Sequence, residues 1–341
     1  MYFQLTKRTV SILMVLVSVV MFFYACKKDI TAPQTTDCKT TPYIITVPKG
    51  FPAIAFNPHN PMTVEGIELG RKLYYDTIIS NDGRACGQCH SQSSGFTTYQ
   101  SNALVHANLA WATNFLWNGE VSGSMEDIMM FEVGKFFNTN VSKLNGNESY
   151  KTLFKKAYGV DSITRKDVAF SLAQFFRALV SADSKFDKFT RGEVSLTQSE
   201  MNGYLLFNTE RGDCFHCHST PLFTDNTFRN IGLDSVFTTV NSGRYKITHD
   251  PQDKGKFKVP TLRNIELSAP YMHDGRFKTL EEVVEHYNSG VKLSETIDPI
   301  MTKAGKEYGL KLTVQEKTDL VNFLKTFTDY TFISNKAFSK Q

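Results

Sequence analysis

Two short segments of the chain place cysteine and histidine side chains at the same spacing. Both read Cys-x-x-Cys-His, the first from Cys86 to His90 and the second from Cys214 to His218. Two thiols at this spacing reach the two vinyl groups on one edge of a haem, and the following imidazole then comes under the iron. A helical turn that starts at the second cysteine would give this arrangement. The sequence therefore predicts two covalent c-type haems, attached through Cys86, Cys89, Cys214 and Cys217.

Paired cysteines also bind zinc or act as redox dithiols. Four thiolates would satisfy a tetrahedral zinc ion, but zinc does not explain a histidine directly after the second cysteine of both pairs. A redox dithiol is expected in a strand–helix context, which neither segment has. Haem is therefore favoured, and His216, which lies inside the second motif, is predicted to be exposed and uninvolved.

A similar helical segment precedes each motif. Gly66 to Asp76 precedes the first and Gln198 to Phe207 the second, with apolar residues at roughly helical spacing. This is the helix–loop–motif unit of class I c-type cytochromes, present twice. The sequence therefore predicts two class I cytochrome c-like domains, each with one covalent haem, at residues 46–190 and 191–341.

The rest of the chain is predicted to be mostly α-helical. Further segments begin with Ser or Thr and carry acidic residues in the first turn, which is typical of helix N-termini. Strand signals are scarce and include Phe257 to Val259. The further predicted helices are Ser124–Phe131, Thr164–Val180, Thr279–Tyr287 and Thr313–Thr328.

The N-terminus has the pattern of an export signal. Two basic residues precede an apolar run from Val10 to Ala25, and Cys26 follows it directly. This resembles a bacterial lipoprotein signal peptide over residues 1–26, with Cys26 lipidated; an uncleaved membrane anchor is the alternative. Either interpretation exports the rest of the chain, anchored to a membrane and facing the periplasm or the cell surface. Residues 27–45 are predicted to be a flexible tether.

Composition and cysteine count exclude two broad classes. The net charge is only +4, and no basic run is interleaved with aromatic residues, so nucleic acid is excluded as a main partner. The chain has 6 cysteines, of which the two motifs use four and the signal uses Cys26. Only Cys38 is left over, as a free thiol, which excludes a disulfide framework.

Several segments of the second half resemble one known family. The chain at Gly255–Asn264, Ala269–Gly275, Thr279–Asn288 and Asp319–Lys325 is similar to the di-haem bacterial cytochrome c peroxidase and MauG family. The likeness runs from about Pro52 to Thr328. It implies two unlike haems: the N-terminal haem meets hydrogen peroxide, and the C-terminal haem takes electrons from an external donor, such as a small redox protein. It also allows a homodimer.

The resemblance assigns the iron ligands. It implies that His90 is the proximal ligand of the peroxide-side haem and His218 that of the electron-transfer haem. The sixth ligand of the C-terminal haem is a methionine in ordinary peroxidases of the family, and Tyr287 matches its position here, as in MauG-like members. A phenolate ligand stabilises ferric iron and lowers the reduction potential. Met272 is the alternative ligand, or packs beside the haem, and His286 is predicted to face another way.

Two further features follow from the resemblance. Trp117 matches the family's tryptophan between the haems, where an aromatic ring can relay electrons; a core aromatic is the alternative. Asn102, Ser268 and Pro270 match the residues that hold a calcium ion at the domain boundary, through one side-chain oxygen and two backbone carbonyls. The expected cofactors are two haems c and one calcium ion.

The peroxide-side pocket departs from the family pattern. Cleaving peroxide requires a base near the iron that takes a proton from one oxygen and returns it to the other. The family uses a glutamate for this, with a glutamine before it. Here the glutamine position falls on Asp127 or Ile128, and the glutamate position falls on Phe137 or Asn138.

Candidate substitutes exist, and they leave two functions open. Glu132 or Glu120 could supply the catalytic acid–base group, although both are also interpreted as surface acids. The family's displaceable distal histidine would lie near Ser94, and His106 is interpreted as a distal ligand or as a satisfied or exposed histidine. The resemblance favours a peroxidase or MauG-like oxidase. The missing glutamate and glutamine favour a non-catalytic di-haem electron carrier or redox sensor.

Overall fold

Amphipathic helices make up most of the protein. The computed structural model describes residues 39–98 and 102–341. Two π-helical turns, Glu132–Phe136 and His286–Gly290, directly follow the helices Met125–Phe131 and Leu280–Glu285. The helices of the described chain are α1 (Val64–Tyr75), α2 (Cys86–Cys89), α3 (Met125–Phe131), α4 (Val141–Asn145), α5 (Glu148–Tyr158), α6 (Arg165–Ala178), α7 (Lys185–Thr190), α8 (Gln198–Phe207), α9 (Tyr245–Thr248), α10 (Leu280–Glu285), α11 (Val314–Lys325) and α12 (Tyr330–Ser334).

Sheet structure in the described chain is limited to two short antiparallel pairs. Strand β1 (Asn114–Phe115) pairs with β2 (Val121–Ser122), and β3 (Phe228–Arg229) pairs with β4 (Phe257–Lys258). The residues opposite each other include Phe115 with Val121 and Phe228 with Lys258. β4 lies within the predicted strand. The prediction of a mostly helical fold with little sheet is confirmed.

The caps of four helices confirm their predicted starts. In each, the N-cap hydroxyl accepts a hydrogen bond from the backbone N–H of an acidic residue three positions on, whose carboxylate accepts from the cap in return. The cap pairs are Ser124–Asp127, Thr164–Asp167, Thr279–Glu282 and Thr313–Glu316. Helix α3 ends at Phe131 as predicted, whereas α6, α10 and α11 end before their predicted ends, at Ala178, Glu285 and Lys325. Helix α10 ends early because the chain passes into a π-helical turn at His286.

The helix before each Cys-x-x-Cys-His motif packs closely against a second helix. Helix α1 meets α6 at Gly70, where an added Cβ would come 2.0 Å from the carbonyl oxygen of Ser171. Helix α8 meets α11 at Gly203, where an added Cβ would come 2.1 Å from the carbonyl oxygen of Asp319. Only glycine allows the backbones to approach this closely. The same close helix pair is therefore built twice, once before each motif.

The buried side chains form two hydrophobic clusters within one compact unit that starts at Lys39. The first cluster runs from Leu69 to Leu179 and is completed by Phe332 of α12. The second runs from Phe186 to Phe327. Phe186 precedes the predicted boundary at residues 190/191, and Phe332 follows it, so each cluster takes residues from across that boundary. The boundary itself stays a prediction.

The segment after α11 returns to the first cluster. The ring of Phe332 lies 5.2 Å from that of Phe96, centroid to centroid. The amide of Gln92 donates to the carbonyl of Asn335 at 2.8 Å, and the hydroxyl of Tyr75 donates to that of Phe338 at 2.8 Å. Residues 330–338 are therefore part of the surroundings of the first motif.

The predicted signal peptide at residues 1–26, with Cys26, lies outside the described residues, as does residue Cys38. Part of the predicted tether is described and bonded. The backbone N–H of Thr41 donates to Glu65 at 2.8 Å, and that of Tyr43 donates to the carbonyl of Met62 at 2.9 Å. Within residues 39–98 and 102–341, no helix has both the length and the hydropathy needed to cross a membrane.

Candidate haem sites

Each Cys-x-x-Cys-His motif forms a single tight turn. The first is helix α2, and the second is a 3₁₀ turn from Cys214 to His216. Both turns begin at the first cysteine, so the prediction of a turn starting at the second cysteine is wrong. The reason is a backbone bond from the histidine N–H to the carbonyl of the first cysteine, 2.9 Å in both motifs. All four motif cysteines are free of disulfide bonds.

Both motif histidines are held by their Nδ1 atoms. His90 Nδ1 lies 2.9 Å from the carbonyl oxygen of Phe96, and His218 Nδ1 lies 2.9 Å from that of Phe223. A proton on Nδ1 leaves Nε2 as the free ligand atom for iron. Burial lowers the pKa of His90 to about 4 and also lowers that of His218, so both rings are neutral, as metal ligands must be.

The two residues whose carbonyl oxygens accept these hydrogen bonds share an unusual backbone conformation. Phe96 has φ 65° and Phe223 has φ 53°, the left-handed region, and both side chains are fully buried. A bulky residue in this region costs about 1–3 kcal/mol and persists only where its surroundings enforce it. The core of each half thus fixes the carbonyl that orients the histidine.

A large apolar cavity opens in front of each motif. The N-terminal cavity encloses about 1720 Å³ of empty space, and the C-terminal cavity about 1580 Å³, the open mouths included. Each combines two thiols, an imidazole and apolar walls, which is the environment that a covalent haem requires. Trp117, Lys258 and Pro260 line both cavities. The two sites therefore share one wall.

The shared wall contains the predicted relay tryptophan and a buried cation. Trp117 Nε1 donates to the carbonyl of Asn102 at 2.8 Å, and the backbone N–H of Lys258 donates to the carbonyl of Trp117 at 2.8 Å. Lys258 is 7% exposed, and its Nζ donates to the Oδ1 of Asn226 at 3.1 Å. Burial lowers the pKa of Lys258 to about 8. No sequence pattern indicated this lysine, because its burial follows from the meeting of the two halves.

Both candidate sixth ligands line the C-terminal cavity together with His218. Tyr287 lies on the π-helical turn after α10, and Met272 lies in a turn at φ 67°. Burial raises the pKa of the Tyr287 phenol. His286 faces another way, as predicted: its Nε2 lies 3.0 Å from the carbonyl of Ile231, and it does not line the cavity. Tyr287 and Met272 both remain candidates.

The N-terminal cavity has apolar residues where the family has its glutamine and glutamate. Ile128 and Phe137 line it, whereas Asp127 caps α3 and Asn138 accepts a hydrogen bond from Arg165. Two acids line it instead. Glu120 is paired with Lys135 and its side chain is 31% exposed, so its interpretation as a surface acid fits.

Glu132 differs from Glu120 in its surroundings. It is the first residue of the π-helical turn after α3, and it lines the N-terminal cavity. Burial raises the pKa of Glu132 to about 7, although Arg84 nearby opposes the rise. A carboxyl group that titrates near neutral pH can both accept and return a proton.

Glu132 also occupies the same position in its half as Tyr287 does in the other. Each half has a capped helix followed by a π-helical turn, with cap residues Ser124 and Thr279. In both, the residues four, five and eight positions after the cap line the cavity. The equivalent pairs are Ile128 and Val283, Met129 and Val284, and Glu132 and Tyr287. Counting from the two caps would have revealed this in the sequence.

His106 is neither exposed nor a distal ligand. Its ring stacks on that of His90 with centroids 3.5 Å apart and planes inclined by 15°. It therefore lies on the proximal side, and the interpretation as a distal ligand is wrong. Its Nδ1 lies 3.2 Å from the hydroxyl of Tyr74. The hydroxyl of Ser94, near the expected distal histidine, is buried without a hydrogen-bond partner in the described chain.

The expected calcium residues can be located. An added Cβ on Gly275 would lie 3.1 Å from Pro270 Cγ and 3.8 Å from Asn102 Cβ, so the side chains of Pro270 and Asn102 lie close together. The side-chain nitrogen of Asn102 is buried with no partner among the described residues. An amide without a bonded neighbour suits an oxygen ligand, since its oxygen and nitrogen can exchange places. Ser268 is buried, and its hydroxyl donates to the carbonyl of Ile265 at 3.0 Å.

His216 takes part in a network of charged side chains, whereas it was predicted to be uninvolved. Lys303 Nζ lies 3.1 Å from His216 Nε2, 2.6 Å from Glu210 and 2.8 Å from Asp213. The ammonium group occupies the space among these three side chains. The cluster is therefore an ion-pair network that ties residue 303 to the second motif.

Comparisons with known proteins agree with this arrangement. A family described as di-haem cytochrome c peroxidase matches residues 64–195. The methylamine utilization protein MauG of Methylophilus methylotrophus is 32% identical over 287 residues, covering 78% of this chain and 83% of that protein. The cytochrome c551 peroxidase of Nitrosomonas europaea is 30% identical over 289 residues, covering 79% and 81%.

Solved structures share the fold. A MauG-like protein associated with microbial copper homeostasis is similar with a TM-score of 0.80 and 29% identity, covering 87% of this chain and 99% of that one. The diheme peroxidase BthA from Burkholderia thailandensis is similar with a TM-score of 0.63, covering 84% of this chain and 91% of that one. The two sequences are 16% identical, so this likeness concerns the fold alone.

Proposed function

Because the chain belongs to the di-haem cytochrome c peroxidase and MauG family, and is a peroxidase-type oxidoreductase, we propose that it reduces hydrogen peroxide with electrons from a small redox protein. Each half is a class I cytochrome c-like domain with one covalent haem. His90 would hold the haem that meets peroxide, and His218 the haem that receives electrons. Both haems supply reversible iron redox chemistry when bound.

This proposal rests on one observation. Glu132 lines the N-terminal cavity eight positions after its helix cap, and Tyr287 lines the C-terminal cavity eight positions after its own helix cap. Tyr287 is the proposed sixth ligand of the second iron, with Met272 as the alternative. Glu132 would then lie near the side of the first iron that is open to peroxide. Its carboxylate would take a proton from one peroxide oxygen and return it to the other, which becomes water. This replaces the glutamate that the family keeps elsewhere.

The remaining residues position the site. Trp117 lies in the wall between the cavities, so its ring would relay electrons from the second haem to the first. A calcium ion held by Asn102, Ser268 and Pro270 would fix the backbone beside Trp117, because the carbonyl of Asn102 already accepts the indole N–H. We also propose that the protein is exported and lipid-anchored through Cys26.

The test uses full-length protein with both haems attached. A reduced small cytochrome or cupredoxin is supplied as donor, and its oxidation is followed after hydrogen peroxide is added. Peroxide-dependent donor oxidation, with two donor electrons consumed per peroxide, supports the proposal. Donor oxidation that is independent of peroxide would instead support a non-catalytic electron carrier and overturn it.

A further inference from the structure

Tyr74 and His106 form a hydrogen-bonded pair against the proximal histidine of the N-terminal site. The Tyr74 hydroxyl lies 3.2 Å from His106 Nδ1 and 3.1 Å from the carbonyl oxygen of His90. The His106 ring in turn stacks on the His90 ring with centroids 3.5 Å apart. A continuous series of contacts therefore connects a phenol to the proposed iron ligand.

The surroundings of Tyr74 exclude water. Its side chain is 0% exposed, and the rings of Phe96, Phe175 and Phe176 enclose it at centroid distances of 6.0, 5.3 and 5.5 Å. The neighbouring Tyr75 has a different environment, because its hydroxyl donates to the carbonyl of Phe338 at 2.8 Å. Tyr74 thus combines burial, contact with the iron ligand and a nearby imidazole.

The imidazole makes oxidation of this phenol feasible. A tyrosine that loses an electron must also lose its hydroxyl proton, and an uncharged imidazole nitrogen within about 3.2 Å is a suitable acceptor. The His106 ring is half-buried between the rings of His90 and Phe176, and its Nδ1 faces the Tyr74 hydroxyl. The hydroxyl has one proton, and the His90 carbonyl also accepts from it; His106 Nδ1 can accept that proton instead when the ring proton is on Nε2.

We propose that Tyr74 and His106 are a redox-active pair that stores one oxidising equivalent on the protein when the external donor is absent. This rests on the proposed reaction with hydrogen peroxide, whose reduction to two waters takes two electrons and two protons. Tyr74 supplies one electron through His106 and His90, and the second haem, when bound, supplies the other. The phenolic O–H bond breaks and an Nδ1–H bond forms on His106, while solvent supplies the two protons for water.

The pair would protect the site between encounters with the donor. The tyrosyl radical would be confined to the core around Tyr74, which does not line the cavity that admits peroxide. A donor electron arriving later restores the phenol, and the proton returns from His106 to Tyr74.

Freeze-quench EPR of the fully haem-loaded protein, mixed with hydrogen peroxide and no donor, tests this pair. A tyrosyl radical is expected, with hyperfine structure that collapses when the protein is made with ring-deuterated tyrosine. Tyr74→Phe should lose the signal, and Tyr75→Phe, the matched control, should retain it. His106→Leu should also lose it, because the proton acceptor is gone.

Haem absorbance recorded in the same samples separates the two proposals. If peroxide leaves the absorbance of the wild-type protein unchanged, the proposed function fails. If the absorbance changes but no tyrosyl signal appears, or if Tyr74→Phe keeps the signal while Tyr75→Phe loses it, the Tyr74 assignment is overturned. Wild-type protein alone decides the first two outcomes, so a variant that fails to fold does not leave the question open.

Discussion

Replacing Glu132 with glutamine should make the protein more stable and less active at the same time. Glutamine keeps the shape of the side chain but cannot ionise. The wild-type carboxyl has its pKa raised from 4.5 to about 7 by burial, so the folded protein resists its ionisation. An acid that is harder to ionise in the folded state than in the unfolded chain costs stability once the pH exceeds the unfolded pKa.

The magnitude follows from these two pKa values. Each pKa unit corresponds to about 1.36 kcal/mol, so a rise from 4.5 to about 7 corresponds to about 3 kcal/mol. Below pH 4.5 the carboxyl is protonated in both states and costs nothing. The cost grows between pH 4.5 and about 7 and is complete above that range. The stabilisation by Glu132→Gln is the unfolding free energy of the variant minus that of the wild type. This difference should therefore be about 3 kcal/mol larger at pH 8 than at pH 4.5.

Denaturant unfolding of the haem-loaded protein at several pH values measures this difference, with peroxide-dependent donor oxidation measured in parallel. Loss of a general acid–base group should reduce turnover by about 10²–10⁴-fold. Glu120→Gln is the matched control; it loses only a surface ion pair with Lys135, worth about 0–1 kcal/mol, and should keep its turnover. An unfolding difference that does not vary with pH, or unchanged turnover in Glu132→Gln, refutes this reasoning.

Two further predictions concern the second half. Tyr287→Phe should change the absorption and EPR spectra of the C-terminal haem and raise its reduction potential, because a phenolate ligand is lost. Met272→Leu should leave both the spectra and the potential unchanged. The opposite result would assign the Met272 sulfur as the ligand. Gly203→Ala should destabilise the protein by about 1–3 kcal/mol in denaturant unfolding, because its Cβ would come 2.1 Å from the carbonyl oxygen of Asp319. Gly134→Ala, with no atom within 4 Å of the added Cβ, is its control, and equal destabilisation of both would contradict the packing explanation.

Local chemistry made parts of the structure predictable. Each cap hydroxyl and its acid three positions on act within a single turn, so helix starts such as Thr313 could be identified directly. The haem motifs were equally local. The π-helical turns at Glu132 and His286 were not predictable, because the apolar spacing continues through them while the backbone bonding changes.

Features that depend on distant contacts were missed for a different reason. The left-handed conformations of Phe96 and Phe223 oppose local preference and exist because each core encloses the ring. The stacking of His106 on His90 required the chain after residue 102 to return beside the first motif. The burial of Lys258 depended on the second half meeting Trp117.

The packing of residues 330–338 against the first motif has a consequence for the order of assembly. Phe332 covers Phe96, whose carbonyl orients His90, and Gln92 and Tyr75 are bonded to the same late segment. A chain that emerges N-terminus first exposes Cys86 and Cys89 long before Phe332 is synthesised. Thioether formation at the first motif can therefore precede the closing of its core over Phe96.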